Sequence, residues 1–173
     1  MVSLNTEEKV VLVDPQGRVI PVDGGIATMP KMEAHLKGVK HLAVSVFIFN
    51  SHGQLLLQQR ALSKYHSPGR WSNSCCTHPR VQEEPLAAAQ RRLSEELRMR
   101  VDLNEVFTFS YFSDVGQGLT ENEFDHVFIG RSEKTPDPDP EEVGDWQWVD
   151  PSELDLDIQR NQSKYTTWFL PGT

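Results

Sequence analysis

The chain has 173 residues, of which 38% are hydrophobic and 24% charged, and we expect residues 1–173 to form a single domain with its own core. Its net charge of −8 makes nucleic acid a poor partner. No apolar run approaches the roughly 18 residues that a membrane-spanning helix needs. The N-terminus has no apolar signal core, and the only two cysteines, Cys75 and Cys76, are adjacent, a spacing that strains a disulfide. These features favour a cytoplasmic protein with reduced thiols.

The first half of the chain is dominated by β-rich runs separated by turn sequences. The turn sequence DPQG predicts a hairpin, and the long apolar run after Val39 predicts a strand buried on both faces. In chain order we predict a hairpin over 9–14 and 18–23, an irregular or short helical stretch over 28–37, a long strand over 39–50, its return strand over 54–60, a loop over 61–70 and a short strand over 71–77.

The second half predicts one central helix, further strands and two short helices near the C-terminus. After the central helix we predict strands over 106–112 and 122–129 joined by a Gly-rich loop, an irregular TPDPDPEE segment, a strand over 143–149, a short helix from Pro151 and another over 164–170. Runs of strands with a few helices indicate an α+β fold, a mixed β-sheet with helices packed on its faces.

The central helix combines an apolar stripe with charged residues beside it. Pro85 suits a first helical position because it has no N–H to leave unpaired. Four apolar residues recur at three- and four-residue steps: Leu86, Ala89, Leu93 and Leu97. Arg92 and Glu96 are four apart and share a face that flanks this stripe. They form either an ion pair at the rim of a core helix or part of a site that opens beside it.

Paired carboxylates and histidines make a candidate metal site. Glu121 and Glu123 stand two apart at the start of a strand, so both lie on one face. Like charges held side by side are costly unless a cation lies between them. Imidazoles from His35, His41 or His78 would suit Zn²⁺, Mn²⁺ or Fe²⁺ together with such carboxylates. Taken alone, each glutamate could equally be a solvent-exposed residue at a strand end, and each histidine a surface residue or a hydrogen-bonded core residue without a metal.

One cysteine is a candidate acid or base, because a thiol near cations or a metal loses its proton more easily. Strand alternation says only that Cys75 and Cys76 face opposite ways, so the residues themselves do not decide between the two. Plain packing in a loop is the alternative role for either one.

Scattered cations could form a pocket for a di-anion such as diphosphate if the fold brings them together. Singly, each is a solvated surface charge. The candidates are Lys31, Arg60, Lys64 and Arg92.

Three longer motifs resemble a known family. They are HLAVSVFIFN at 41–50, QRALSKYHSPGRWSNSCCTHP at 59–79 and ENEFDHVF at 121–128. Together they are similar to type 1 isopentenyl-diphosphate Δ-isomerases, members of the Nudix superfamily, over nearly the whole chain from about Lys31 to Trp168. The resemblance implies a Nudix-like mixed β-sheet and an enzyme that interconverts isopentenyl and dimethylallyl diphosphate.

The central helix resembles a degenerate Nudix box, G-x5-E-x7-R-E-U-x-E-E-x-G-U. Arg92 replaces a glutamate of the box, which argues against pyrophosphate hydrolysis by the ordinary multi-metal route of Nudix enzymes. Several other positions match the box: Glu83, Arg91, the apolar Leu93, and the acidic pair Glu95 and Glu96. Two positions depart from it, because Thr77 and Arg98 replace glycines.

The resemblance implies a role for each candidate residue. Cys76, rather than Cys75, aligns with the catalytic thiol because it lies two residues before His78-Pro79. Glu123 with Tyr111 aligns with the second proton-transfer position. The implied metal ligands are His35, His41, His78, Glu121 and Glu123, and Glu96 with the carbonyl of Cys76 is implied to hold Mg²⁺ on the diphosphate. The implied diphosphate contacts are Lys31, Arg60, Lys64 and Arg92. Trp168 is implied to cover the reacting carbons.

The implied cofactors are Mg²⁺ and a second divalent ion, Mn²⁺, Zn²⁺ or Mg²⁺, at the histidine–glutamate site. The implied partner is the small-molecule substrate, with neither nucleic acid nor membrane, and the chain is expected to be a monomer or weak homodimer. Two other functions remain open from the sequence: a Nudix pyrophosphohydrolase, and a non-catalytic metal-binding module in which Cys76 and the cations have no role.

Overall fold

The structure is a computed structural model that describes residues 8–64 and 67–169. Within this part of the chain, no helix is long and apolar enough to cross a bilayer. In chain order the elements are β1 (Lys9–Val11), β2 (Pro21–Val22), β3 (Gly25–Ile26), β4 (Thr28–Pro30), α1 (Lys31–Lys37), β5 (His41–Phe49), β6 (Leu55–Arg60), β7 (Trp71–Ser72), β8 (Cys75–Thr77), α2 (Pro85–Leu97), β9 (Leu103–Gly116), β10 (Leu119–Arg131), β11 (Val143–Val149) and α3 (Pro151–Arg160).

A seven-stranded mixed sheet forms the centre of the fold. Its main path runs β11-β6-β5-β10-β9, with β7 paired to β6 and β8 paired to β5. The neighbouring strands β5 and β10 are parallel, whereas the other pairings in this sheet are antiparallel. The predicted mixed sheet is therefore confirmed. The prediction that residues 1–173 form a single domain stays a prediction.

Helices cover both faces of this sheet because alternate residues of its central strands point to opposite sides. Leu93 and Leu97 of α2 pack with Val44, Val46 and other buried residues on one face. On the other face, a second cluster joins α3 to β6 and the C-terminal segment through Leu55, Leu57, Leu154, Ile158 and Tyr165. The predicted arrangement of helices on the faces of the sheet is confirmed.

The helix α2 begins at Pro85 as predicted, but its buried stripe is shifted from the predicted one. Leu86 is 40% exposed because it lies in the first turn, before the helix reaches the core. Ala88 and Glu96 are buried in its place, together with the rest of the predicted stripe. Because Glu96 is buried on this face, it is not a solvent-exposed charge at the rim of the helix.

Two predicted hairpins differ in detail from the structure. Residues 9–11 pair with Thr28–Pro30 and not with residues 18–23, where the single bridge Val13–Val19 closes the DPQG turn. A second tight turn through Asp23 and Gly24 brings the chain back to make this pairing. The predicted Gly-rich loop between the later strands is a two-residue turn, in which Gln117 and Gly118 both have positive φ.

The C-terminal helix predicted over 164–170 is wrong within the described residues. Two short 3₁₀ turns, Gln162–Lys164 and Thr167–Phe169, stand there instead. The reason is tertiary: the backbone N–H of Thr166 donates to the carbonyl of Trp71 at 2.9 Å, and Tyr165 bridges to Trp71. These contacts hold the backbone extended between the turns. Residue 170 lies outside the described residues.

The left-handed residue that ends α2 gives a stability prediction. Arg98 has φ +49°, a conformation that costs a residue with a Cβ about 1 kcal/mol relative to glycine. Its side chain also donates to the carbonyl of Asp137 at 2.9 Å. We expect Arg98→Gly to be more stable than Arg98→Ala by about 1 kcal/mol, since both lose that contact and only alanine keeps the strain. Urea unfolding of the two variants measures the difference, and equal midpoints would contradict it.

Candidate active site

A cavity of about 170 Å³ lies between α1, α2, the central strands and the C-terminal turns. Most of the candidate residues line it: Lys31, His35, Arg60, Lys64, Cys76, His78, Arg92, Glu96, Glu121, Glu123 and Trp168. His41 and Tyr111 lie beside its wall, because they are the residues opposite Glu123 on β5 and β9 respectively. The fold therefore gathers residues from the whole length of the chain at one place.

Three histidines form a compact cluster at this cavity. α1 supplies His35, the first residue of β5 is His41, and His78 follows β8. Their ring centroids are 5.0–5.9 Å apart, and one nitrogen from each ring lies within 4.8 Å of the others. This spacing is suited to binding a single metal ion.

Backbone carbonyls fix the orientation of two of these rings. The Nδ1 of His35 is 2.8 Å from the carbonyl of Lys31, and the Nδ1 of His41 is 2.8 Å from that of Val39. Because a carbonyl can only accept, each Nδ1 carries the proton, and each Nε2 is left with a lone pair. Metal-binding histidines are oriented in this manner by a partner on the other ring nitrogen.

The two glutamates of β10 complete a donor set for a divalent metal. Glu121 and Glu123 are both buried, and the Glu123 Oε2 is 2.8 Å from the His78 Nε2 and 3.6 Å from the His41 Nε2. Within the described residues, Glu121 Oε2 and His41 Nε2 are buried without a hydrogen-bond partner. A buried polar atom left unpaired costs about 1–3 kcal/mol. The residues therefore fit a divalent cation, which would satisfy both atoms.

The charges of these groups depend strongly on burial and on one another. Burial, followed by the adjacent charge of Glu123, raises the pKa of Glu121 to about 9. Burial alone would also raise the pKa of Glu123, but the imidazoles of His41 and His78 hold it well below its usual range. Burial lowers the pKa of His35 to about 4, which keeps this ring neutral and able to bind metal. Burial and the two imidazoles thus move the pKa values of these neighbouring carboxyl groups in opposite directions.

The structure distinguishes the two cysteines. Cys76 lines the cavity, with its Sγ 3.3 Å from Asn73 Oδ1 and 3.7 Å from Ser45 Oγ. Cys75 points the other way into the core beneath α2 and is 1% exposed. Burial, followed by the charge of Asp125, raises the pKa of the Cys76 thiol. The thiol is therefore strongly favoured over the thiolate in the surroundings that the structure shows.

Two of the predicted cations, Lys64 and Arg92, line the cavity and are held by carboxylates. Arg92 contacts Glu96 at 3.2 Å and Glu142 at 2.9 Å, and Lys64 also contacts Glu142. These cations are positioned at the cavity without substrate, and Glu142 is the residue that joins them.

Two further predicted cations, Lys31 and Arg60, also line the cavity. The Lys31 Nζ lies 3.7 Å from Glu8, and the Arg60 guanidinium lies 5.4 Å from the ring centroid of Trp168. Tyr111, although opposite Glu123 in register, donates its hydroxyl to Thr167 at 3.3 Å. It therefore links the wall of the cavity to the C-terminal turn.

The cavity also contains residues that were not predicted from the sequence, among them Asp125, Ser45, Asn73 and Glu142. Asp125 is a third buried carboxylate on the same strand face as Glu121 and Glu123, and the two-residue period of ENEFD could have identified it. Its Oδ2 accepts a hydrogen bond from Ser45 at 2.6 Å. Asn73 and Glu142 gave no such signal, because they lie in irregular segments whose positions only the tertiary fold defines.

Comparison with known proteins agrees with this geometry. The NUDIX domain model matches residues 39–169. The chain is 45% identical to isopentenyl-diphosphate Δ-isomerase 2 of Aromatoleum aromaticum, covering 94% of this chain and 82% of that protein. It is 46% identical to isopentenyl-diphosphate Δ-isomerase of Serratia proteamaculans, covering 95% of this chain and 88% of that protein.

A solved structure, DR0079 from Deinococcus radiodurans, superposes with a TM-score of 0.71 at 23% identity, covering 89% of this chain and 90% of that one. At this identity the likeness concerns the fold alone. The mixed sheet, the helix in the position of the Nudix box and the identity over nearly the whole chain agree with one another. The chain belongs to the isopentenyl-diphosphate Δ-isomerase family, within the Nudix superfamily.

Proposed function

We propose that the protein interconverts isopentenyl diphosphate and dimethylallyl diphosphate, with Cys76 and Glu123 as its proton-transfer groups. The observation that carries this proposal is that both side chains line one cavity together with a basic cluster, Lys31, Arg60, Lys64 and Arg92. A diphosphate held by this cluster would extend its five-carbon chain towards the thiol and the carboxylate.

The reaction moves a double bond by adding a proton to one carbon and removing a proton from another, so the composition of the substrate does not change. The intermediate is a tertiary cation that water would trap, which requires a dry site. Cys76 and Glu123 are largely shielded from solvent, and Trp168 presents an indole at the same cavity. A desolvated indole stabilises a nearby cation by about 2 kcal/mol. Tyr111, beside Glu123, assists the carboxylate in this proposal.

Two divalent ions support the chemistry in this proposal. His35, His41, His78, Glu121 and Glu123 would hold Mn²⁺, Zn²⁺ or Mg²⁺, and the charge of that ion would tune the acidity of Glu123. Glu96 and the carbonyl of Cys76 would hold Mg²⁺, which would neutralise charge on the diphosphate. Burial raises the pKa of Glu96, and the charge of Arg92 opposes this effect. Divalent metal dependence is common to the family, and the donor set described above supports it here.

The alternative, a Nudix pyrophosphohydrolase, is less consistent with the helix α2. Arg92 occupies the position of a box glutamate, and its guanidinium lies against Glu95 and Glu96. A cation there occupies space that a second or third metal would need. The cavity also contains Cys76, for which hydrolysis gives no role.

One assay separates the two functions. The purified protein is incubated with isopentenyl diphosphate and Mg²⁺, and the products are analysed for dimethylallyl diphosphate and for released phosphate. We expect dimethylallyl diphosphate without phosphate. Phosphate release without isomerisation would overturn the proposal.

Arg92 provides a kinetic prediction. Loss of a charge-assisted contact to phosphate costs about 1.5–3 kcal/mol, and the diphosphate also positions the alkene. We expect Arg92→Ala to lower kcat/KM for isopentenyl diphosphate by roughly 10- to 100-fold, with part of the loss in kcat. Steady-state kinetics at saturating Mg²⁺ measures it, with the exposed Arg100→Ala as a matched control that stays at the wild-type value. Unchanged kinetics in Arg92→Ala would remove this residue from the site, and phosphate release by Arg92→Glu would revive the hydrolase.

We further propose that the substrate is the protein's only class of partner, that it acts in the cytoplasm and that it is a monomer or weak homodimer. The net charge of −8 supports the exclusion of nucleic acid, because a polyanion would be repelled.

A further inference from the structure

A chain of hydrogen bonds runs along the wall of the cavity from one functional side chain to another. The indole Nε1–H of Trp168 donates to the Ser72 hydroxyl at 2.9 Å, although the two residues are 96 positions apart in sequence. The Ser72 hydroxyl donates to Asn73 Oδ1 at 2.8 Å, and the Cys76 thiol lies 3.3 Å from the same oxygen. Ser72 and Asn73 are 4% and 2% exposed, so water does not compete for these bonds.

The amide of Asn73 has its orientation fixed by the backbone. Its Nδ2 donates to the carbonyls of Val46 at 3.1 Å and Cys75 at 3.0 Å. Both amide hydrogens are used, and a flipped amide would place Oδ1 against two acceptors. The Oδ1 must therefore face Ser72 and Cys76, where it accepts from both.

The direction of the bonds at Ser72 is fixed in the same way. An indole N–H can only donate, and the hydroxyl of Thr166 also lies 3.2 Å away as a second donor. Ser72 accepts from both and has one hydrogen left, which it gives to Asn73. The donors and acceptors from the indole to Asn73 are thus assigned, and the Cys76 thiol, which also lies 3.7 Å from the Ser45 hydroxyl, can donate to the Asn73 Oδ1.

We propose that Ser72 and Asn73 are positioning residues that hold the Trp168 ring and the Cys76 sulfur in a fixed relation. This inference rests on the proposed function, in which the ring covers the cation and the sulfur moves a proton. A misplacement of about 1 Å can cost about 100-fold in such a step. Neither Ser72 nor Asn73 is one of the proposed diphosphate contacts, although one of those contacts, Arg60, packs against the Trp168 ring, so the pair acts mainly on turnover.

Ser74 provides a matched control in the same loop. It is fully buried, and its hydroxyl makes two bonds to backbone groups, accepting from Ile48 and donating to Leu56. Ser72→Ala and Ser74→Ala therefore remove comparable buried hydrogen bonds. Only Ser72→Ala interrupts the path between the indole and the thiol.

The test compares these two variants by steady-state kinetics and by the NMR resonance of the Trp168 indole N–H, assigned through Trp168→Phe. We expect Ser72→Ala to lower kcat about 10-fold, to leave KM within about 2-fold and to shift the indole resonance, while Ser74→Ala keeps wild-type values. Equal kcat in the two serine variants, or a loss confined to KM, would overturn the proposal.

A double-mutant cycle adds a second test, because Trp168→Phe interrupts the same path from its other end. The effects of Ser72→Ala and Trp168→Phe on kcat should be non-additive, since both break one bond. Additive effects would overturn the proposal. If the wild-type protein does not isomerise the substrate, the proposed function fails, whereas the indole resonance still tests the hydrogen bond separately.

Discussion

Replacement of Cys76 by alanine is expected to lower kcat for isomerisation by at least about 1,000-fold, which is the scale of a lost general acid or base. The reason is geometric: the Cys76 sulfur is at the cavity and no other thiol can replace it, because Cys75 points into the core. The measurement is conversion of isopentenyl to dimethylallyl diphosphate, with circular dichroism to verify folding.

Cys75→Ala is the control for this prediction. Its loss of a buried sulfur should destabilise the fold by about 1 kcal/mol, while turnover stays within about 3-fold of wild type. If both variants lose activity equally and remain folded, the sulfur of Cys76 has no special role and the loop between β7 and β8 needs only bulk. If Cys76→Ala retains activity, the assignment of the acid or base is wrong.

The double variant His78→Ala, Glu121→Gln is expected to lose most of the bound metal and at least about 100-fold of the activity. Both changes remove donors from a site whose buried atoms otherwise stay unpaired. Elemental analysis of protein purified without chelator gives the metal content. Thermal unfolding gives a second measure, because a metal at 100 times its Kd stabilises the wild type by about 2.7 kcal/mol and should raise its Tm by several degrees.

The control is His52→Ala, which removes an exposed histidine from the turn between β5 and β6. Its metal content and its Tm response to added metal should equal those of the wild type. An unchanged metal content in the double variant would contradict the ligand assignment. A Tm of the double variant that still rises on addition of metal would place the ion elsewhere.

The sequence pattern predicted secondary structure well where residues within one element are sufficient to determine it. Pro85 and the apolar spacing gave α2, and the long apolar run gave β5. The errors arose where pairing with a segment distant in sequence determines the local conformation. The turn after residue 164 is set by pairing with Trp71, and the partner of β1 is set by a turn at Gly24 that brings β4 back.

The candidate site divides in the same way. The spacing of Glu121 and Glu123 correctly placed both on one face, but it could not bring His41 to them, since that contact comes from the pairing of β5 with β10. The choice of Cys76 over Cys75 came from the resemblance, because local alternation does not say which side of a short strand faces the core. Glu142 follows an irregular segment and was not predictable from pattern at all.

The parallel pairing of β5 with β10 has a consequence for the order of events when the protein is made. It places His41 opposite Glu123, while His78 reaches Glu123 from 45 residues away. In the proposed metal site the ligands come from three separate parts of the chain, 35–41, 78 and 121–123, so no single short segment carries the whole set as in a zinc finger. Contacts so distant in sequence form slowly, because the entropy of loop closure is lost before the contact energy is gained. Binding of a metal at this proposed site would therefore be a late step of folding, which it completes and does not initiate.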